Sequence, residues 1–463
     1  RRAAPAAPVG SPTAATMSRT RVRFSRLPTE VPPNFRTFMG ADCMLDRVDR
    51  EKLIYDWNVK GSHPPRPPQE IRLNDETLRD GLQSPSAATP ALDEMVTHLH
   101  NCAAVGIHAI NIGLPGAGPH VEAQAERLAK EIRDAKLPLY ANCAARTVRA
   151  DIEPIARISQ KIGIPIEAAT FIGSSSIRME VENWDLAFLL KCVRDAITFV
   201  KKEGLPSMFV TEDTVRASPE VIEQLYGTAI DLGADRVVIC DTTGHITPWG
   251  VKNLLKFIFD LIDKKGVRGR VKVDWHGHMD RGLGVMNNIA ALEAGADRLH
   301  GTALGIGERA GNAPLDLTMV NLKLMGWIDN DLRALGRYVS HGARICGFPI
   351  PSTYPVFGSD AFETGTGVHA AAVIKALRRN DTWLANRVYS GVPADEFGLG
   401  QRILIGPMSG KSNVVWWLEA HGYDSDEKTV DAIFKAAKES RRNLTDDEIE
   451  AIALGRPSPK PTA

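Results

Sequence analysis

Asp75-Glu76-Thr77-Leu78-Arg79-Asp80-Gly81-Leu82-Gln83 follows a short apolar run at 71–74 and opens a long series of strand–helix alternations. In an open doubly wound sheet this first turn is Gly-rich, so that backbone amides can cradle a phosphate. Here it is polar and charged, so it serves a ligand other than a dinucleotide. Working outward, further strand-like runs lie at 109–112, 137–141, 164–171, 207–211, 236–240, 271–275 and 298–302. Amphipathic helical stretches lie between them, such as 92–104, 121–134, 183–203, 219–232 and 249–265. Gly106, Gly163, Gly233 and Gly295 stand near helix exits, where a left-handed cap is wanted. Eight strand–helix units in about 250 residues fit a closed (β/α)8 TIM barrel, an α/β fold, better than an open sheet.

The barrel is assigned to residues 70–327. Residues 1–69 read as an N-terminal extension closed by the stiff linker Gly61-Ser62-His63-Pro64-Pro65-Arg66-Pro67-Pro68. Beyond 327 the alternation stops, and 328–456 read as a mainly helical C-terminal appendage with helices near 332–346, 361–379, 426–440 and 446–454. The Pro-rich tail 457–463 is expected to be disordered.

Composition excludes several function classes. The 463 residues carry 56 basic and 56 acidic side chains, so no basic stripe points to nucleic acid. No apolar run approaches the roughly 20 residues that span a bilayer, so no membrane partner is expected. Cys43, Cys102, Cys143, Cys192, Cys240 and Cys346 lack CxxC spacing, which argues against a zinc finger or disulfide framework and fits a reduced, cytoplasmic protein. The first sixteen residues lack the apolar core of a secretory signal. Met17 is a candidate start, with a transit peptide as the weaker alternative.

In such a barrel the chemistry collects where strands end. His276 and His278 stand two residues apart on one strand, so both face the same side. Alone, such a pair is more often an exposed strand end. Asp80 would add a carboxylate oxygen to the two imidazoles, a donor set suited to Zn, Mn or Mg with coordination positions left open. Arg79 beside it could stabilise charge developing on the ketone of a chelated 2-oxo acid. Each residue also has a plainer reading: Arg79–Asp80 as a surface ion pair, Glu212 as a solvated carboxylate, Thr242 as a turn residue, His369 as helix-start packing, and Asn312 as an N-cap before Ala313-Pro314.

Three motifs together carry a resemblance. Residues 75–83 resemble the D-x-T-L-R-D-G-x-Q signature of the DRE-TIM acyltransferases and lyases, a group including 2-isopropylmalate, homocitrate and citramalate synthases and 3-hydroxy-3-methylglutaryl-CoA lyase. His276-Gly277-His278-Met279-Asp280 is similar to the H-x-H-N-D of the synthases, and residues 304–312 to their G-I-G-E-R-A-G-N. The similarity spans about residues 70–455. It implies Asp80, His276, His278 and Asn312 as ligands of a divalent cation, and Arg79, Gln83 and Thr242 on the 2-oxo acid. It implies Glu212, opening Glu212-Asp213-Thr214-Val215-Arg216, as an acid–base group. Residues 361–369 resemble A-F-x-H-x-S-G-I-H, which makes His369, with Tyr389 of the same appendage, catalytic residues reaching the other subunit of a homodimer. Gly406-Pro407-Met408-Ser409-Gly410-Lys411 is similar to G-K-x-S-G-R.

The implied reaction is a Claisen condensation of acetyl-CoA with a 2-oxo acid, releasing CoA, as in the 2-isopropylmalate synthases of leucine biosynthesis. Leu82 leans toward the lyases, whereas a cysteine-free loop at 305–312 and the long appendage lean toward the synthases. Met279, Thr364 and the His-free stretch 168–175 depart from the isopropylmalate pattern, so homocitrate and citramalate synthase stay open as alternatives. A lyase and a silent barrel with an assembly role are the remaining readings. The chain ends too early for a leucine-binding regulatory domain, and no leucine inhibition is expected.

Overall fold

In the computed structural model, the described residues are 50–60, 66–67 and 69–456. Most of the expected extension over 1–69, including Met17 and Cys43, and the whole 457–463 tail lie outside them. Eight parallel strands close into a barrel in sequence order. They are β1 (Arg72–Asp75), β2 (Ala109–Asn111), β3 (Tyr140–Arg146), β4 (Glu167–Gly173), β5 (Ser207–Glu212), β6 (Arg236–Asp241), β7 (Lys272–Gly277) and β8 (Arg298–Gly301). Closure is made by β8 on β1, with His300 opposite Asn74. The helices that follow each strand are α1 (Leu92–Ala104), α2 (Pro119–Asp134), α3 (Arg149–Ile162), α4 (Leu186–Lys202), α5 (Pro219–Asp231), α6 (Pro248–Lys264), α7 (Gly284–Glu293) and α8 (Leu315–Leu324).

Two elements differ from expectation for identifiable reasons. The third strand lies at Tyr140–Arg146 rather than 137–141. Its Ala-Asn-Cys-Ala-Ala run has little intrinsic strand preference, and pairing with β2 and β4 decides the outcome. The helix expected over 183–203 is two: Ser176–Glu182 ends at Asn183 in the left-handed region, and Asp185 then caps α4 by accepting from Phe188 N at 2.7 Å.

The described chain divides into two compact units. The barrel unit comprises residues 66–364 and 368–403. Its core cluster runs from the strands into α9 (Leu335–Ile345), whose buried Tyr338 donates a 2.5 Å hydrogen bond to Asp75 Oδ2. Asp75 also accepts from Thr77 N and Oγ1 (3.0 and 2.8 Å), so the end of β1 is pinned from both sides. Helix α10 (Gly367–Arg378) carries His369. In the second unit, α11 (Lys411–Ala420), α12 (Glu427–Glu439) and α13 (Asp446–Ala453) pack around Ile405, Val414, Trp417, Leu418 and Ile433. Of the five described cysteines none is paired, and all but Cys192 are buried. Among the described residues no helix is long and apolar enough to cross a membrane.

The strand period of two sorts the barrel interior into unlike halves. Strands β1, β7 and β8 contribute Asn74, Asp274, His276, Arg298 and His300, all buried. Strands β4 to β6 contribute Ala169, Met208, Val238 and Cys240, a separate apolar cluster with Val210 packed on it. The cavity at the mouth therefore meets this apolar cluster as well as charged groups, Glu212 of β5 among them.

Candidate active site

A cavity of about 310 Å³ opens among the strand ends, and Arg79, Asp80, Gln83, Glu212, Thr242, His276 and His278 all line it. Residues at the ends of β5 and β7 and in the loops after β1, β6 and β7 thus converge as the sequence expects. His276 Nε2 lies 3.2 Å from Asp80 Oδ2 and 3.2 Å from His278 Nε2. His278 Nε2 is 3.8 Å from the same carboxylate. Burial, reinforced by His276, pushes the His278 imidazole down to about 4, so at neutral pH it is an uncharged donor. Burial pushes the Asp80 carboxyl up, but Arg79 and the two imidazoles outweigh it and hold the group well below the usual carboxylate range.

These residues fit a divalent cation. One anionic oxygen and two imidazole nitrogens are within 4.8 Å of one another, all three side chains buried. A fourth donor stands near: Asn312 pairs with His278 in an antiparallel bridge. Its Nδ2 donates to Ile306 O at 3.2 Å, and its buried Oδ1 has no hydrogen-bond partner among the described residues. A buried amide oxygen left bare is costly, and coordination would satisfy it. The loop that presents Asn312 folds tightly enough to demand glycine at Gly311 (φ +91°), where a Cβ would sit 2.0 Å from Gly305 O.

Glu76, His276 and His300 form a second cluster of possible ligands. There, however, both imidazole nitrogens of His300 already face carboxylates, Glu76 Oε1 at 3.2 Å and Asp274 Oδ2 at 2.9 Å. Burial lowers the affinity of His300 for a proton, but Asp274 and Glu76 outweigh it and raise it. A third cluster, Asp75, His98 and Cys102, is structural, because Tyr338, Thr77 and His98 saturate Asp75.

Thr242 Oγ1 accepts from Asp213 N at 2.8 Å, which leaves its own proton free to be donated into the cavity. Burial pushes the Glu212 carboxyl up against the opposing pull of Arg178 and Arg79, moving it toward the range useful for proton transfer. His369 and Tyr389 do not line the cavity; both are exposed, their rings 4.2 Å apart. Sequence reasoning gave no role to Glu76, His300 or Glu308, which also line the cavity. The period of two was the available signal for His300, which shares the inward face of β8 with Arg298.

The fold and the converging donors define a (β/α)8 barrel with a candidate divalent-metal centre at its C-terminal mouth. The chain belongs to the HMGL-like family, whose model matches residues 70–336. It is 31% identical over 395 residues to a homocitrate synthase of Methanopyrus kandleri, covering 83% of this chain and 92% of that protein. A probable 2-isopropylmalate synthase of the same organism is 30% identical over 378 residues, covering 80% of this chain and 70% of that one. Hydroxymethylglutaryl-CoA lyase of Pseudomonas aeruginosa shares the fold at a TM-score of 0.51 and 17% identity, over 62% of this chain and 96% of that one.

Proposed function

We propose that this chain condenses acetyl-CoA with a 2-oxo acid bearing a short apolar side chain, as a 2-isopropylmalate synthase does. Water is consumed, and the products are a 2-alkylmalate-type diacid and free CoA. The reading rests on the apolar half of the cavity. Leu114, Ala144, Ala169, Phe171, Met208 and Val210 line it beside Asn111 and Glu212, and the single arginine of the lining, Arg79, stands at Asp80 among the candidate metal ligands. A second carboxylate, as in 2-oxoglutarate, would be buried against hydrocarbon without a partner, at a cost of several kcal/mol. An alkyl group would fit there at a gain of about 0.8 kcal/mol per methylene.

When bound, a divalent cation on Asp80, His276, His278 and Asn312 would supply Lewis-acid polarisation of the ketone. Thr242 donates its hydroxyl proton to the substrate carboxylate. Arg79 stabilises negative charge on the ketone oxygen as the new carbon–carbon bond forms. Glu212, kept basic enough by burial, handles a proton in the condensation. His369 and Tyr389 act from a partner copy in a homodimer; their exposure supports this, together with the motif at 361–369.

The test is free-thiol release from acetyl-CoA across a panel of 2-oxo acids with Mn²⁺ present. 2-Oxoisovalerate or 2-oxobutanoate is expected to give the highest kcat/KM. Preference for 2-oxoglutarate would overturn the substrate assignment, and no release with any acid would overturn the reaction.

A further inference from the structure

Glu76 has no part in the chemistry derived so far, yet it is 1% exposed and sits against the arginine that polarises the ketone. Its Oε2 accepts from Arg79 Nε at 3.0 Å and from Arg79 Nη2 at 2.6 Å. Its Oε1 accepts from Asn74 Nδ2 at 2.7 Å and lies 3.2 Å from His300 Nδ1. Burial pushes the Glu76 carboxyl up, but Arg79 and His300 outweigh it and hold the group down to about 2, so it is an anion throughout the working range. Beyond His300 the chain of charges continues. Asp274 is clasped by Arg236 and by Arg298 at 2.6 Å, and Glu167 on the far side of the barrel binds Arg298 at 2.8 Å and Arg236 at 3.2 Å.

This arrangement restricts what Arg79 can do. An arginine side chain carries several rotatable bonds and is free to turn unless its donors are held. Here two of its donor nitrogens are taken by one carboxylate that is itself held just past the end of β1 by Asn74 and His300. Only Nη1 is left with loose contacts, 3.4 Å from Asp80 Oδ2 and 3.4 Å from Gln83 Oε1. That nitrogen faces the candidate metal centre, where the ketone oxygen of a chelated 2-oxo acid would lie.

We propose that Glu76 is a positioning residue for the condensation: it clamps the Arg79 guanidinium so that Nη1 alone points at the developing alkoxide. The inference rests on the reaction proposed above. Removing Glu76 leaves Arg79 charged and present but free to turn. The loss therefore falls on stabilisation of the transition state rather than on binding, because misplacement by about 1 Å can cost on the order of 100-fold in rate.

The experiment is a double-mutant cycle of Glu76→Gln and Arg79→Gln, with Glu76→Asp as a second probe. The readouts are kcat and KM for the best 2-oxo acid, Mn²⁺ affinity of the metal-free protein by calorimetry, and thermal unfolding. Glu76→Gln is expected to lower kcat by about 10–100-fold with KM changed less than about twofold. In the Arg79→Gln background the same change should have less than about a threefold effect, since the residue it acts through is gone. Mn²⁺ affinity should stay within about twofold of wild type, because Asp80, His276, His278 and Asn312 remain. Glu76→Asp keeps the charge but falls one methylene short of the clamp, so it should not restore kcat even if Glu76→Gln folds poorly. Equal losses in both backgrounds, a matching loss of Mn²⁺ affinity, or full activity in Glu76→Asp would each overturn the clamp while leaving the reaction standing. A wild-type protein inactive on every acid would remove the reaction and this proposal together.

Discussion

The Nε2 atoms of His276 and His278 face each other across 3.2 Å, with Asp80 Oδ2 the same distance from the first. Asp80 Oδ2 also has Arg79 Nη1 at 3.4 Å, and this oxygen and the two imidazole nitrogens are close enough to share one ion. A divalent cation resolves the arrangement. His276→Ala should therefore abolish stoichiometric Mn²⁺ or Zn²⁺ binding at this site, read by calorimetry on the metal-free protein. CoA release should fall by at least about 100-fold, since even residues that merely support metal ligands are worth 10–100-fold. Retention of both metal and rate would remove the centre.

Glu212 gives a pH-dependent test. A base must be deprotonated to work, so kcat/KM falls as pH drops through its pKa. Burial has moved that pKa above the ordinary 4.5. With saturating Mn²⁺, the wild-type profile should show an acidic limb above pH 4.5. Glu212→Gln should lose about 10²–10⁴-fold in kcat and show no such limb. An unchanged limb in the variant would assign it to another group.

Gly311 tests how the fourth donor is held. Its φ of +91° and the 2.0 Å approach of a Cβ to Gly305 O leave no room for a side chain. Gly311→Ala should cost about 1–3 kcal/mol in backbone strain alone, more with the clash, read from urea midpoints. If the loop shifts to absorb the methyl group, Asn312 moves with it, and Mn²⁺ affinity should drop alongside stability.

The sequence disclosed the barrel because strand and helix periods alternate over its whole length, and it disclosed Asp80, His276 and His278 because they fall where strands end. It missed the shift of β3, where alanines carry no period and neighbouring strands decide. It also missed the joint work of Glu76, His300 and Asp274. They lie just past the end of β1, on β8 and on β7 respectively, and only barrel closure, with His300 opposite Asn74, brings them together. The break at Asn183 turned on a single left-handed residue inside an otherwise helical pattern. His369 and Tyr389 were found by motif, and their place in one chain is beside each other rather than in the cavity.

Asp316, at the start of α8, makes stability itself pH-dependent. Its carboxyl is fully buried, accepting from Leu304 N at 2.9 Å and from the Tyr354 hydroxyl at 2.8 Å. Burial is the dominant influence and pushes it from 3.8 up to about 6, because neutral donors do not replace the lost hydration of an anion. Below about pH 4 the group is protonated in both folded and unfolded chains and makes no difference between them. As pH rises from 4 to 6 the unfolded chain releases the proton first, so folding loses ground; above 6 the folded protein carries the buried anion and the loss is complete. A displacement of this size corresponds to about 3 kcal/mol. Asp316→Asn keeps the shape, accepts from Leu304 N and can donate to the Tyr354 oxygen, without any charge to bury. Urea unfolding in EDTA, which removes the pH dependence of metal binding, should show the variant more stable than wild type at pH 8 by up to about 3 kcal/mol. The difference should shrink through pH 6 and vanish near pH 4. A gap that stays constant across this window would mean that Asp316 is not the titrating group.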